Sequence, residues 1–536
     1  MERLAGRIIL LWGWRAWALA FLAGAVAVLG LPPFDFFLAP FVSFPILVWL
    51  LDGASGNPAS GPIGRARPAF AIGWWFGFGY FVAGLWWLGG AFMVEADAFA
   101  WAIPLAVLGL PAVLALFFGV ASVLARPLWS GGIGRIAALA ACLGLTEWLR
   151  GVLFTGFPWN AIGYLAMPAP LAMQSVAIVG VAGVGTLAVL VFAMPALLGT
   201  RQGLRAGTAI ALVLTAAHLG FGAFALSRTP ANGSPAADNP VIRIVQPSIP
   251  QAAKWDEAER DEIFRTHLDL TTRPVAEGEP EPTHIVWAET AVPFILTEAP
   301  DALAAIAESL QPGQTLAAGA IRIERGSGTE PPRYYNSITV IDDGGQITAA
   351  ADKVHLVPFG EYLPFEETLQ RFGISPVAAG MASFSAAGER RPLAFGNGLS
   401  VLPLICYEAI FPIGRPPAGD APDLILNVTN DGWYGNTPGP YQHFRQAQVR
   451  AVEAGLPLVR VANNGISAMV DHHGRIIDGL ALDAVGVVDI RLDEPAVPIW
   501  DVRLQEYNPW LLIAILLLIA LVARSGFIRR SIDGNP

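Results

Sequence analysis

The sequence predicts a multi-span α-helical membrane domain, with eight transmembrane helices in all, joined to an α/β domain outside the bilayer. Apolar residues make up 54% of the 536 residues and charged residues only 14%, whereas charged residues make up about 25% of an ordinary soluble domain. Long apolar runs fill the first 228 residues and return near the C-terminus, while the segment between them alternates strand and helix patterns. Part of the chain must therefore use lipid as its solvent.

Eight apolar runs are candidates for membrane spans, since a span needs about 20 apolar residues, within a range of about 17–25. They lie at 8–30, 38–52, 70–93, 101–125, 134–150, 171–198, 206–227 and 509–523. The first run is interpreted as a retained helix, because no clear small-residue cleavage site follows it. The predicted domains are a membrane domain at 1–228 with seven helices, an outer domain at 240–505 and a last helix at 508–525.

Arginine is distributed unevenly between the loops that join these runs. If the N-terminus lies inside, each inner segment contains a pair of arginines. These are Arg3 and Arg7, Arg65 and Arg67, Arg126 and Arg135, and Arg201 and Arg205, and the C-terminal tail adds Arg524, Arg529 and Arg530. The outer loops contain Asp35, Glu95 and Asp97 instead, with Arg150 as the one exception. Because cytoplasmic loops are enriched in Lys and Arg, eight spans satisfy the charge rule. This predicts that both termini are cytoplasmic and that the 240–505 domain lies on the outer side.

The long insert between the seventh and eighth runs has the pattern of an α/β domain. It follows a linker rich in Pro, Gly and Ser at 227–235. Strands are predicted at 241–247, 284–288, 315–322, 335–341, 399–406, 424–428, 457–462 and 466–470, and helices at 256–272, 299–311 and 440–455. Strands that alternate with helices indicate sheets whose faces are covered by helices.

Composition excludes several classes of function. The net charge of -10, with no long basic stretch, argues against a nucleic-acid partner. The two cysteines, Cys142 and Cys406, are too few for a disulfide framework. Cys142 lies in an apolar run and is best explained as a small buried hydrophobic residue, so Cys406 is the candidate thiol. No metal-ligand spacing appears among the histidines, and no cofactor is predicted.

Lysine is rare in a way that is informative. Of the 33 basic residues, only Lys254 and Lys353 are lysine. Arginine does not replace lysine where a compact ammonium or a tunable pKa is needed. These two positions are therefore unusual in a chain that uses arginine nearly everywhere else.

Three segments of the outer domain place chemically active side chains beside apolar strands. Glu289 lies in 286–293, Lys353 in 352–362 and Cys406 in 403–408. A nucleophilic cysteine needs a base to remove its proton, and a buried glutamate is suitable when burial raises its pKa. A lysine and the backbone N–H of the residue after the nucleophile, here Tyr407, are suited to hold an oxyanion. The three side chains form a complete set for acyl transfer without a histidine.

These segments resemble the nitrilase superfamily, whose signature is a Glu, a Lys and a Cys in that chain order on an αββα sandwich. The resemblance covers about 240–500 and implies that Glu289, Lys353 and Cys406 are catalytic. Soluble nitrilases lack membrane spans. Seven spans before the domain and one after it resemble the apolipoprotein N-acyltransferases, a membrane family within that superfamily.

The resemblance also implies supporting residues. Trp255, in a Lys-Trp pair after a Gln-rich segment, is similar to a family residue of the substrate cleft, and Glu361 to an acidic residue that supports the lysine. Further matches are Asn336, Tyr407 and Glu408. Structural alternatives stay open, because a Trp also caps a core and a Glu also stabilises a turn. Trp433, in the Gly-flanked segment 431–436, is consistent with either a mobile lid or a rigid turn.

The resemblance implies a two-step reaction in the bacterial inner membrane, with the catalytic domain in the periplasm. A fatty acyl group would pass from a membrane phospholipid to Cys406, and from the resulting thioester to the N-terminal amine of a diacylglyceryl-cysteine apolipoprotein. One alternative is a membrane-tethered nitrilase-type amidase that hydrolyses small amides. Another is a transporter or scaffold with a degenerate domain, although the apolar runs lack the buried charge pairs that a transport path needs.

Overall fold

The computed structural model describes residues 1–94, 96–228, 239–254, 256–326, 331–366, 371, 383–413, 421–492 and 504–532. The chain divides into two compact units. The first comprises Met1–Gly89, Ala102–Thr229 and Pro498–Pro536, and the second comprises Gly90–Trp101 and Pro230–Val497. The second unit thus includes a short segment from between two of the apolar runs.

The described residues of the first unit form helices joined by turns and loops, and no β-strand is among them. Its α-helices before the linker are α1 (Glu2–Ile9), α2 (Trp14–Ala27), α3 (Pro40–Gly53), α4 (Pro62–Leu85), α5 (Leu110–Ala125), α6 (Ile133–Val152), α7 (Pro170–Met173), α8 (Val176–Ala193) and α9 (Leu204–Arg228), and the C-terminal helix is Leu504–Ile532. Such a helical unit satisfies its backbone hydrogen bonds internally, as lipid requires.

Six helical stretches in the described residues are long and apolar enough to cross a bilayer. They are Pro62–Met93, Ala100–Leu128, Ile133–Thr155, Val176–Gly199, Leu204–Arg228 and Leu504–Gly526. They coincide with six of the eight predicted spans. The first two predicted spans form shorter apolar helices, Trp14–Gly30 and Pro40–Gly53, so the count of eight stays a prediction.

Glycines allow the membrane helices to approach closely. A Cβ added at Gly24 on α2 would clash with the carbonyl oxygen of Phe76, and one added at Gly79 on α4 would clash with that of Phe21. Without a hydrophobic driving force between helices in lipid, close packing through small residues is a principal source of their association. The contact between α2 and α4 therefore depends on glycine on both of its sides.

Arg150, the exception to the predicted charge pattern, is buried near the end of α6. Its Nε lies 2.9 Å from Glu147 Oε1, and its Nη1 donates to the carbonyl oxygen of Trp159 at 3.0 Å. A buried arginine that is neutralised by a neighbouring carboxylate does not act as a free loop charge. The pairing accounts for the exception. It also shows that the expectation of apolar runs without buried charge pairs is wrong here, because Glu147 and Arg150 both lie in the run at 134–150.

The second unit contains two six-stranded sheets within the described residues. The strands are β1 (Val241–Gln246), β2 (His284–Trp287), β3 (Thr315–Glu324), β4 (Arg333–Asp342), β5 (Ile347–Asp352), β6 (Leu393–Gly396), β7 (Leu399–Ile405), β8 (Leu424–Thr429), β9 (Leu458–Ala462), β10 (Ser467–Val470), β11 (Ile476–Leu480) and β12 (Gly486–Arg491). The strand order is β12-β1-β2-β3-β4-β5 in the first sheet and β11-β10-β9-β8-β7-β6 in the second. The centre of each sheet is parallel: β1, β2 and β3 in one, and β7, β8 and β9 in the other.

The two sheets pack face to face, and helices cover their outer faces. Buried residues from both sheets, such as Val286 and Val428, form the core between them. The helices α10 (Arg260–Thr271) and α11 (Pro300–Ser309) pack on the outer face of the first sheet, and α12 (Pro438–Ala454) packs on that of the second. The layers follow the order helix, sheet, sheet, helix, and the predicted α/β class is confirmed.

Candidate active site

Glu289 follows the buried strand β2 at its carboxyl end. Because β2 lies between the parallel strands β1 and β3, it delivers this side chain to the edge at which α/β folds build their sites. Glu289 Oε1 accepts a hydrogen bond from Asn336 Nδ2 at 2.7 Å and lies 3.4 Å from Lys353 Nζ. The carboxylate is thus held by an amide and an ammonium.

Lys353 follows β5 and is only 1% exposed. Its Nζ donates to Glu361 Oε1 at 2.9 Å, and the same Oε1 atom accepts from Asn336 Nδ2 at 2.9 Å. Burial opposes the charge on Lys353, but the carboxylates of Glu361 and Glu289 outweigh it and raise the pKa of the ammonium above its ordinary value. The charged form of Lys353 is therefore favoured between the two carboxylates.

Cys406 lies where β7 ends and a 3-10 turn, Cys406–Ile410, begins. Its φ of +51° falls in the left-handed region, which is unusual for a residue with a side chain. Burial, followed by the Glu289 carboxylate, raises the pKa of the thiol to about 12, although Lys353 and a hydrogen bond with Thr429 act in the opposite direction. The thiol form of Cys406 is therefore favoured near neutral pH, and a nucleophilic role would need a base that removes its proton.

A buried polar network lies directly behind Cys406. His443 Nε2, on α12, is 3.1 Å from the carbonyl oxygen of Cys406, and its Nδ1 is 2.8 Å from Asp431 Oδ1. Arg460 Nη2 donates to Asp431 Oδ2 at 2.7 Å. Although burial disfavours a charged carboxylate, Arg460 and His443 lower the pKa of Asp431 to about 2. The network contacts the main chain of Cys406 through its carbonyl oxygen.

Glu408 links the 3-10 turn Cys406–Ile410 to the segment that follows Lys353. Its Oε1 accepts from the main-chain N–H groups of Val354 at 3.0 Å and His355 at 3.1 Å, and from Arg390 Nη2 at 2.9 Å. Its Oε2 accepts from the N–H of Ile405 at 2.8 Å. Glu408 therefore fixes the distance between two chain segments that each carry a predicted catalytic residue.

The aromatic candidates have different environments. Tyr407 is buried, and its ring packs edge-on against Phe411 at a centroid distance of 5.2 Å. Trp433 is half-buried at the end of the 3-10 turn Asp431–Trp433. This turn begins at Asp431, which is anchored by Arg460. Trp255 lies outside the described residues.

Lys254, the second of the two lysines, is also buried beside Glu289. It is 2% exposed, and its Nζ donates to the carbonyl oxygen of Glu289 at 2.9 Å. Burial lowers the pKa of this ammonium to about 8, an effect that Glu289 and Cys406 partly offset. The structure thus brings both lysines of the chain to one site.

Comparison with known proteins places this site in a family. An apolipoprotein N-acyltransferase N-terminal domain model matches residues 23–194, and a carbon-nitrogen hydrolase model matches residues 242–497. A protein from Rhizobium leguminosarum bv. trifolii named apolipoprotein N-acyltransferase is 59% identical, over 98% of this chain and 99% of its own length. The chain belongs to the apolipoprotein N-acyltransferase family. A protein of the same name from Brucella suis is 58% identical, over 98% of each chain.

Within the described residues, this apolipoprotein N-acyltransferase family member gathers most of the predicted site into one cluster. Asn336 and Glu361 join Glu289 and Lys353 through direct hydrogen bonds. Sequence reasoning missed the network behind Cys406, because its members are far apart along the chain and each alone looks like an ordinary polar residue. The rarity of lysine was the available signal for Lys254.

Proposed function

We propose that this integral membrane protein transfers a fatty acyl group from a membrane phospholipid to the N-terminal amine of a diacylglyceryl-cysteine apolipoprotein. The observation that carries the proposal is a buried cluster in which Lys353 Nζ lies 3.4 Å from Glu289 and both groups interact electrostatically with the thiol of Cys406. The name apolipoprotein N-acyltransferase, borne by relatives that match 98% of this chain, supports N-acylation of an apolipoprotein.

In the first step, Glu289 accepts the thiol proton of Cys406, and the sulfur attacks the ester carbonyl of the phospholipid. The oxyanion that forms is stabilised by Lys353 and the main-chain N–H of Tyr407. When the intermediate collapses, the C–O bond breaks and the lysophospholipid oxygen takes the proton from Glu289. A thioester on Cys406 remains.

In the second step, the neutral amine of the apolipoprotein attacks the thioester carbonyl. Glu289 accepts a proton from the attacking nitrogen, the C–S bond breaks, and the proton passes to the departing sulfur. The product is an amide, and Cys406 is again a thiol. Since the lysophospholipid leaves before the apolipoprotein reacts, the proposed mechanism is ping-pong.

The supporting residues have distinct proposed roles. Asn336 and Glu361 hold the base and the cation in register, which is supported by their hydrogen bonds to Glu289 and Lys353. Glu408 positions the nucleophile turn through its bonds to the main chain. Trp255 and Trp433 are proposed to contact the lipid-bearing substrates, a role that rests on the family resemblance of the first and on the half-buried indole of the second.

The domain and membrane assignments belong to the same proposal. We assign 1–228 and 508–525 to the bilayer and 240–505 to the periplasmic side of the bacterial inner membrane, with both termini in the cytoplasm. The arginine distribution along the chain supports this orientation. The acceptor would then meet the enzyme at the outer surface of that membrane. The amidase alternative is not favoured, because the relatives that cover the whole chain are named as transferases.

A thioester-trapping experiment tests the function. With labelled phospholipid alone, the purified enzyme should accumulate a hydroxylamine-sensitive acyl group on Cys406. C406A should form none, and E289Q should form little because the base is lost. C142A is the matched control, since Cys142 lies in α6 of the helical unit, and should behave as wild type.

The acceptor half of the experiment separates the transferase from a hydrolase. A diacylglyceryl peptide with a free N-terminal amine should discharge the thioester and become acylated, whereas the same peptide with a blocked amine should leave it intact. Release of free fatty acid at one rate with or without the peptide would show that water is the true acceptor.

A further inference from the structure

The carboxylates of Glu289 and Glu361 share two donors. The amide of Asn336 donates to both, and Lys353 Nζ lies within 3.4 Å of both. Two negative charges so close together in a buried site repel each other strongly unless positive charge lies beside them. Lys353 supplies one positive charge for the two carboxylates, so a second cation beside Glu289 would reduce this repulsion further.

Lys254 occupies such a position. It ends the turn that begins at Gln251, and its ammonium binds the carbonyl oxygen of Glu289 at 2.9 Å. That carbonyl belongs to the peptide group that leads into Thr290, whose φ of +42° is strained for a β-branched residue. The contact therefore fixes the main chain at the point where the proposed base is attached.

We propose that Lys254 is a positioning residue of the acyl transfer, which holds the Glu289–Thr290 peptide group and places a second positive charge beside Glu289. This inference rests on the proposed function of Glu289 as the base. With Lys254 charged, Glu289 has one ammonium group at its carboxylate, that of Lys353, and a second at its main-chain carbonyl.

The groups around Lys254 define when its charge is present. Those that interact with it are Glu289, Cys406 and the imidazole of His267 on α10. Burial lowers the pKa of His267 to about 4, so this ring stays neutral near pH 7. A lysine with a pKa of about 8 is charged below that pH and loses its charge as the pH rises through it. At neutral pH the second cation is therefore in place.

The scarcity of lysine permits a direct measurement on the full-length enzyme. Selective isotope labelling of lysine side chains gives signals from only Lys254 and Lys353. One signal should titrate near pH 8, and its midpoint should fall in E289Q, because the carboxylate that favours the charged amine is gone. A midpoint that is the same in wild type and E289Q would overturn the proposed coupling, whatever the outcome of the activity assays.

Two variants separate charge from hydrogen bonding in the first half-reaction. K254Q keeps a donor for the Glu289 carbonyl without the charge, and K254R keeps the charge. The rate of thioester formation is measured against pH with phosphatidylglycerol, whose headgroup carries no amine. Removing a cation beside a carboxylate disfavours its charged form, so the acid limb of the K254Q profile should move up by about one pH unit.

The K254R profile should keep the acid limb of the wild type, although its rate should fall because the larger guanidinium fits the buried site poorly. R243K is the matched control, since Arg243 is a buried cation paired with Asp489 at 2.7 Å, and its profile should keep the wild-type limb as well. If K254Q and wild type have the same acid limb, Lys254 has no electrostatic role. Failure of the wild type to form any thioester would instead contradict the proposed function.

Discussion

The Sγ atom of Cys406 lies at the end of a buried strand, where burial and the Glu289 carboxylate raise the pKa of the thiol to about 12. A thiol in this state is a poor nucleophile until a base removes its proton. Lys353 acts in the opposite direction and favours the negative sulfur. The reactivity proposed for Cys406 therefore depends on the whole cluster. Substitution of Glu289 or Lys353 should change the rate of thioester formation even though both side chains are buried.

Lys353→Arg tests this dependence while the charge is kept. The ammonium lies between Glu361 and Glu289 at 2.9 and 3.4 Å in a cage that is nearly closed to solvent. A planar guanidinium is larger and offers its donors in a fixed fork, so it does not fit the same site. Thioester formation should slow by about 10²–10³, the loss seen when one oxyanion donor is removed.

The control for this prediction is a neighbouring basic residue. Arg322 pairs with Asp352, the residue before Lys353, at 2.6 Å but is partly exposed. R322K should change the rate of thioester formation little. Near-wild-type turnover by K353R would mean that Lys353 has a structural role only.

At the residue scale, the sequence predicted the candidate site residues that lie within motifs. It missed residues whose importance depends on a contact that forms only on folding. Glu289, Lys353 and Cys406 were recognisable because each lies in a distinctive local context. His443 was not, because its significance comes from a contact with the Cys406 carbonyl, 37 positions away. A lone histidine in a helix pattern gives no sign of that contact.

At the scale of elements, the site depends on how β7, β8 and α12 meet. The strand β7 ends at Ile405, and Cys406 then turns into the left-handed region. Such a backbone conformation costs on the order of 1–3 kcal/mol and persists only where its surroundings fix it. The helix α12 supplies the fixing contact through His443.

His443→Ala should therefore make the position of the Cys406 main chain less fixed. The substitution removes the contact to the Cys406 carbonyl and leaves Asp431 and Arg460 with one buried partner fewer. The free energy of unfolding should fall by about 1–3 kcal/mol. Thioester formation should slow by about 10² because a misplaced reacting group is that costly. Thermal unfolding and acylation kinetics measure the two effects separately.

H284Q is the matched control for this variant. His284 is also buried, but it begins β2 and interacts with the carbonyl of Gly396 rather than with the site. H284Q should lose stability and keep the rate of thioester formation of its folded fraction. If H443A lost stability but kept that rate too, the network would be structural only.

The strands that the sequence predicted are those with continuous apolar character. β7 and β8 are buried along almost their entire length, and their β-branched residues give a clear signal. The strand β5 was missed because it is rich in alanine and alternates in burial. The edge strand β11 was missed because it is largely exposed and contains a glycine. Edges lack the burial pattern that defines central strands.

At the scale of the whole molecule, hydropathy predicted six spans whose helices are long enough to cross a bilayer. The helix α3 has 14 residues with Pro45 inside it, which is below the range of about 17–25 that a span needs. Composition alone does not settle this helix, because a short span is compatible with local thinning of the bilayer. The orientation of the chain rests on charge and is open to direct measurement.

Topology reporters test the orientation, and the first two helices need a separate probe. Reporters fused near Arg65, Arg126 and Arg201 should read cytoplasmic, and fusions within 240–500 should read periplasmic, because arginine-rich loops stay inside.

Omitting both α2 and α3 as spans would leave these sides unchanged, since two crossings restore the original side. Phe34, between them, is 57% exposed, so F34C in a background that lacks both native cysteines (C142A and C406A) should react with an impermeant thiol reagent from outside. F34C that stays unlabelled in intact cells and reacts only after lysis would reduce the count to six, and a cytoplasmic signal from 240–500 would contradict the lipoprotein proposal.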